Sequence, residues 1–267
     1  MKKTNILSLP KERRLEILAE LQQEGAVRVA ALAERFGVAE ETIRRDLDKL
    51  SEEGHLSRTH GGALSVRSER FDLPSAVRKS SHSTEKQQIA QRALSHIEPH
   101  DVVAFDASTT VLELVCLLPD MPLTVITYSL DAVRLLADRP QIKVISTGGE
   151  LEANSFCLLG PVAEETIRRF SINKFFCSSK GIDLKRGFSE ASTSHASIKG
   201  LVMQLADRVF MMADHSKFGV RSMTYTGKLQ SADVVITDNA TDAVYLDALA
   251  QAGVETEVVS LRERIAQ

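Results

Sequence analysis

Two adjacent arginines, Arg44 and Arg45, stand in the run EETIRRDLDKLSE, residues 40–52. An arginine fork reads guanine N7 and O6 or grips a phosphate, so outward arginines are chemistry for nucleic acid. A second set of groups lies farther along. It comprises Asp106, Ser108, Thr109 and Thr110; Tyr128 and Ser129; Gly148 and Gly149; Ser179 to Asp183, with Lys180; Asp214 to Lys217; and Asp238 and Asn239. Hydroxyls, lysines, carboxylates and glycines that let backbone N–H groups approach are together the inventory for a sugar carrying a phosphate. Singly, each has a plainer role. Ser-Thr-Thr before a helix caps it, and Gly-Gly makes a turn. An isolated Lys180 or Lys217 is a surface cation. His215 is then a hydrogen-bonded loop histidine, and Glu190 and Lys199 are solvated. The convergence of the groups carries the expectation.

Periodicity supplies the elements that position them. In 40–52, Ile43, Leu47 and Leu50 fall at i, i+4 and i+7 of a helix. At about 100° per residue, Arg45 points away from that stripe beside Glu41, Asp48 and Lys49, with Thr42 and Arg44 on the flanks. Upstream, Val29, Leu32, Ala33 and Phe36 repeat at helical spacing, so a short helix ends at Phe36 and Gly37-Val38-Ala39 turns the chain. Two short helices joined this way make a helix-turn-helix, whose second helix enters the major groove. Downstream, 56–60 and 63–66 are β-like runs joined by Gly61-Gly62, a hairpin wing that brings Arg58 and His60 near the phosphates. Pro10 opens a support helix that holds Leu15, Ile17, Leu18 and Leu21 and stops at Gly25.

Residues 67–83 are polar, broken by Pro74, and read as a linker. Thr84 with Gln87 then resembles a capping box. Beyond it, strands are expected at 102–105, 124–127, 143–147, 175–178, 209–213, 234–237 and 257–259. Helices fall between most of them, at 110–118, 130–137, 162–170, 196–206 and 241–252. Alternation of this kind argues for a largely parallel sheet covered on both faces. Ligands bind beyond the carboxyl ends of such strands, which is where the second set of groups falls. The expected plan is α/β: 1–66 a winged helix-turn-helix, 67–83 a linker, and 84–267 a larger effector-binding domain.

Composition bounds the partners. The chain has 267 residues, 43% hydrophobic and 26% charged, ordinary for a globular chain of two domains. Net charge is −3, and residues 1–70 carry 13 Lys+Arg against 12 Asp+Glu. Affinity for DNA must therefore come from placement rather than bulk charge. Cys116, Cys157 and Cys177 show no CxxC or CxH pattern and read as reduced, buried, cytosolic thiols. No apolar run nears the roughly 20 residues of a membrane span. No apolar stretch follows Lys2-Lys3, so no signal peptide is expected and the location is cytoplasmic. No cofactor, metal or catalytic residue is assigned.

The run from 13 to 64 closely resembles the N-terminal half of the DeoR family of bacterial transcription regulators. FGVAEETIRRDLDKL, EGHLSRTHGGAL and the spacing between them carry the resemblance. The family usually has Ser where this chain has Ala39, a change worth about 1 kcal/mol of helix capping. FDASTT, VITYSL, ISTGGEL, KGID and ADHSKFG look like the family's effector-binding half. That half is similar to the ribose-5-phosphate-isomerase fold and senses phosphorylated sugars or related metabolites. The resemblance makes Asp106, Ser108, Thr109, Thr110, Ser129, Gly149 and Lys217 the effector-site candidates. Tyr128 stands where most members have Asn, and Lys180 replaces a small residue, so both would tune effector choice.

The expected function is a DNA-binding regulator of a carbohydrate-utilisation operon, repressor rather than activator, controlled by a phosphorylated sugar. Thr42, Arg44, Arg45, Lys49, Arg58 and His60 would contact a double-stranded operator. One such unit reads few base pairs, so a homo-oligomer on repeated half-sites is expected. The alternative is a sugar-phosphate isomerase-like enzyme with an appended DNA-binding domain. Asp106, Asp183, Asp214 and Lys217 would then supply its base and electrophile.

Overall fold

The computed structural model describes residues 10–24, 26–53, 55–59, 61–65, 78–79 and 81–260. The chain divides into two compact units, Met1–Ser81 and His82–Gln267.

The first unit runs α1 (Pro10–Glu24), β1 (Ala26–Arg28), α2 (Val29–Phe36), α3 (Glu40–Glu52), β2 (Leu56–Thr59) and β3 (Gly62–Ser65). Ile17, Leu18 and Leu21 of α1, Leu32 and Phe36 of α2, and Ile43, Leu47 and Leu50 of α3 share one core. Each such side chain stabilises by about 1.5–3 kcal/mol when buried. That burial fixes the inward face of α3 and so directs its outward one. α2 stops at Gly37, which takes the left-handed φ of 64°.

The wing differs from the expected hairpin. Thr59 pairs with Gly62, so Gly62 belongs to β3 rather than to the turn, and β1 adds a third strand in the order β1-β3-β2. Gly62 is paired on both sides, with Thr59 and Arg28. A Cβ there would lie 1.9 Å from the Val27 carbonyl oxygen, so this glycine admits a neighbouring strand rather than making the turn.

The second unit begins with α4 (Ser83–Leu94), β4 (Val102–Phe105), α5 (Thr109–Leu117), β5 (Leu123–Thr127), α6 (Leu130–Leu136) and β6 (Ile142–Ser146). It continues with β7 (Glu150–Glu152), β8 (Cys157–Leu159), α7 (Pro161–Ile167), β9 (Ile172–Cys177), β10 (Gly181–Asp183) and β11 (Gly187–Glu190). It closes with α8 (Thr193–Leu205), β12 (Ala206–Met212), β13 (Thr224–Gly227), β14 (Val234–Asp238), α9 (Ala243–Gln251) and β15 (Glu255–Val259).

Seven strands make one parallel sheet in the order β15-β14-β12-β9-β4-β5-β6. Successive strand residues enter opposite cores: Ala104, Phe175 and Met211 on one face, Phe105, Phe176 and Phe210 on the other. Burial on both faces is why these strands read as continuous apolar runs. The chain lays down β4, β5 and β6 in one direction, then returns to the other side of β4 with β9. The topological switch point therefore lies between β4 and β9, where such sheets open a crevice. Alternation alone does not predict the β7–β8 hairpin or the small antiparallel sheet β10-β11-β13. The expected capping box is also absent. α4 begins at Ser83, and its N-cap His82 makes no side-chain capping bond, so Thr84 lies inside the first turn.

Candidate functional site

On α3 the Arg45 side chain is 79% exposed, its Nε 3.5 Å from Glu41. Arg44 is exposed too and pairs with Glu40 at 2.8 Å. Surface pairs at this spacing are worth about 0.3–0.5 kcal/mol, so a phosphate or base edge displaces them readily. Lys49 is exposed and Thr42 half-buried on the same helix. Arg58 is held differently. Its Nε donates to Asp48 at 2.7 Å and its Nη1 to the Gly62 carbonyl at 2.6 Å, so it ties the wing to α3. His60 lies outside the described residues. Ala39, the N-cap of α3, offers no side-chain acceptor, and Thr42 N–H donates to its carbonyl at 2.9 Å. Periodicity missed the buried ion pair beneath, Arg13 of α1 with Asp46 of α3 at 2.6 Å. A signal existed: Asp46 sits at i+3 from Ile43, inside the apolar stripe.

In the second unit a polar network fills the switch point. Asp106 follows β4. Its Oδ1 accepts from the Ser108 N–H at 2.8 Å and the Ser108 hydroxyl at 2.5 Å. Its Oδ2 accepts from the Ser178 N–H, at the end of β9, at 2.9 Å and lies 3.1 Å from Lys199 Nζ. Lys199, on α8, also pairs with Glu190 and donates to the Ser178 carbonyl at 2.5 Å. Lys199 is only 4% exposed. Burial alone would lower its pKa, but the charges of Glu190 and Asp106 outweigh burial and raise it. Glu190 and Lys199 are therefore not solvated; they are partners in a buried triad. The neighbouring Cys177 thiol is pushed up by burial and then by Asp106, which keeps it protonated and inert.

The other candidates distribute around this centre. Ser108 and Ser129 cap α5 and α6, accepting from the N–H groups of Val111 and Ala132, each at 3.2 Å. Thr109 and Thr110 are buried in the first turn of α5, the end of a helix that favours an anion. Lys180 is half-buried beyond β9, with its N–H on the Ser189 carbonyl at 3.0 Å. Lys217 is half-buried in a 3-10 turn, His215–Lys217, that follows β12 and is capped by Asp214. Gly149 and Tyr128 are shaped by packing that the sequence does not show. Gly149 has φ 114°, and a Cβ there would sit 2.5 Å from the Leu159 carbonyl oxygen. Its missing side chain makes room for the end of β8. Tyr128 is 2% exposed with its ring in the core, and its hydroxyl is sealed without a hydrogen-bond partner among the described residues. Burial, then the charge of Asp106, push its pKa well up. Tyr128 thus backs the site from inside rather than presenting a ring to the strand tips.

A core-anchored helix with outward arginines and a wing, followed by a parallel α/β unit with a polar switch point, defines a DNA-binding regulator with a sensor domain. Residues 13–69 match the DeoR-like helix-turn-helix domain, and residues 81–239 match the DeoR C terminal sensor domain. The chain belongs to the DeoR family and is a DNA-binding transcriptional regulator.

Among curated relatives, the uncharacterized HTH-type transcriptional regulator YulB of Bacillus subtilis is 37% identical over 95% of this chain and 98% of its own. The L-fucose operon activator of Haemophilus influenzae is 34% identical over 84% of this chain and 90% of its own. The transcriptional repressor AccR of Agrobacterium fabrum is 34% identical over 90% of this chain and 93% of its own. Among solved structures, ribose 5-phosphate isomerase A of Methanocaldococcus jannaschii aligns with 52% of this chain and 55% of its own, with TM-score 0.39 and 12% identity. No described helix is long and apolar enough to cross a membrane.

Proposed function

We propose that the protein is a cytosolic, homo-oligomeric regulator of a carbohydrate-utilisation operon, a repressor released from its operator by a phosphorylated sugar or related metabolite. The observation that carries this reading is Arg45, held outward on α3 by a stripe buried on the opposite side. Arg45 reads a guanine edge; Arg44, Lys49 and Thr42 hold the backbone, and Arg58 contributes only by exchanging its Asp48 contact for phosphate. Relatives include both an activator and a repressor. Repression asks least of the molecule, since a bound oligomer needs only to exclude the polymerase.

In the sensor unit the phosphate docks at the start of α5, against Ser108, Thr109 and Thr110, with Lys217 and Lys180 as countercharges. Ser129 and the backbone at Gly149 line the β5–β6 side, and the Asp106–Lys199–Glu190 triad holds the crevice rigid. An isomerase role fits less well. Asp106 accepts from Ser108, Ser178 and Lys199 through both oxygens, which leaves it a poor general base.

The effector acts only by binding one arrangement of subunits better than another. A thermal-shift screen of phosphorylated sugars against their unphosphorylated parents tests this, since a ligand at 100 times its Kd stabilises by about 2.7 kcal/mol. Lys217→Ala should keep operator binding and lose the shift. Turnover of an aldose or ketose phosphate, or operator affinity unmoved by every sugar phosphate that binds, would overturn the reading.

A further inference from the structure

We propose that the sensor unit carries a site for a divalent transition metal of the zinc or cobalt type, built from His82, Asp214 and His215. One ring nitrogen from each histidine and one carboxylate oxygen of Asp214 lie within 4.8 Å of one another. The two rings meet edge to face with centroids 5.1 Å apart. Two histidines and a carboxylate suit such a cation, which binds nitrogen and oxygen at about 2.0–2.2 Å.

Two independent features point to a cation. Asp214 is fully buried. Its Oδ1 accepts from the Ser216 N–H at 3.0 Å and from the Ser216 hydroxyl. Its Oδ2 is sealed from solvent and has no hydrogen-bond partner among the described residues. A buried carboxylate oxygen left so is costly, and a bound cation satisfies it.

The second feature is the orientation of His215. Its Nδ1 lies 3.0 Å from Asp238 Oδ1, and its backbone N–H donates to Asp238 Oδ2 at 2.8 Å. A carboxylate on Nδ1 selects the tautomer that leaves Nε2 as a lone pair, the outer-shell arrangement that orients metal-binding histidines. His82 Nδ1 lies 3.9 Å from Glu85, beyond hydrogen-bond reach, so the outer-shell argument rests on His215. His82 occupies the N-cap position of α4, yet its ring does not cap the helix and turns to the cluster instead.

The opposing charges near Asp214 are Lys217 and, more weakly, Lys86. The carboxylates of Asp214 and Asp238 offset them. An anion is the competing occupant, but at this point it would meet the unsatisfied Asp214 oxygen. His215 is the hydrogen-bonded loop histidine expected from the sequence, and the metal comes in addition, at a position where the sequence assigned none. The site stands beyond β12 and β14 and does not depend on the sugar-phosphate reading.

The test is a titration of the chelator-treated full-length protein with Co2+ alone, read by its visible absorption. Wild type should develop a band that saturates at one equivalent and is bleached by Zn2+. His82→Ala and His215→Ala should each weaken Co2+ binding at least about 10-fold. His82 is half-buried at the start of a helix and is the variant least tied to folding; near-ultraviolet dichroism of the tyrosines checks that its fold persists. No band in wild type, or an unchanged band and stoichiometry in folded His82→Ala, overturns the site. So does a melting-temperature rise with inorganic phosphate that Co2+ does not produce and that His82→Ala abolishes.

Discussion

Replacing Lys199 by Met removes the cation that contacts both Asp106 and Glu190 while keeping a similar volume. Two carboxylates are then left in a site where Lys199 itself was 4% exposed. Removing one partner of a buried ion pair costs about 3–5 kcal/mol, because the stranded charge is uncompensated. For a unit of this size that corresponds to a melting temperature lower by roughly 6–20 °C. The sign with pH is definite. Lys199 has its pKa raised in the folded state, so its contribution is complete below the unfolded lysine pKa and is lost only as pH rises through the folded value. At pH 7 the whole effect is read.

The assay is urea unfolding followed by tyrosine fluorescence. The chain has no Trp, and its three tyrosines, Tyr128, Tyr225 and Tyr245, all lie in the sensor unit. The signal therefore reports that unit alone. Adding Glu190→Gln to Lys199→Met removes one stranded charge and should restore part of the loss, a coupling the double-mutant cycle isolates. A Lys199→Met cost below about 1 kcal/mol would refute the reasoning, because carboxylates that shed their partner at so little expense are hydrated rather than buried.

Arg45→Ala should weaken operator binding by about 1–3 kcal/mol, roughly 5- to 150-fold, and leave the melting curve unchanged. Equal gel-shift affinity at fixed salt would remove Arg45 from the interface. Ala39→Ser supplies the missing acceptor at the start of α3 and should stabilise the first unit by about 0.5–1 kcal/mol; a far-ultraviolet melting curve without a gain would show that serine does not reach the Thr42 N–H. Acid should act on the sensor unit through Asp183, Asp214 and Glu257. Burial opposes ionisation at each, yet Arg221 at Asp183, Lys217 at Asp214 and Arg92 at Glu257 prevail and lower the pKa. Their stabilisation is present above the unfolded carboxylate pKa of about 4 and is lost as pH falls through the lowered values. The urea midpoint should thus fall steadily below about pH 5, and a flat midpoint down to pH 3 would contradict these pairings.

Local pattern was enough for α3. Ile43, Leu47 and Leu50 mark the buried side, so Arg45 had to face outward, and the structure places it there. It was enough for the parallel sheet as well, because the segments buried on both faces, such as 175–177 and 209–212, read as continuous apolar runs. Hydroxyls and carboxylates at the strand ends were equally visible. What escaped is whatever depends on a partner far along the chain. Asp46 gave an ambiguous signal until Arg13 of another helix met it. Gly62 read as a turn residue, although β1 is what excludes its side chain. Lys199 and Glu190 read as surface charges because nothing near them in sequence shows that Asp106 closes over them.

Which face of each element is apolar, and which residues stand at its ends, can be read from the chain alone, since burial leaves a period of 3.6 or 2 in it. Which ends meet is settled by the fold in three dimensions. The strand order sets β9 beside β4 and β12 beside β9, and contact between distant segments leaves no period behind.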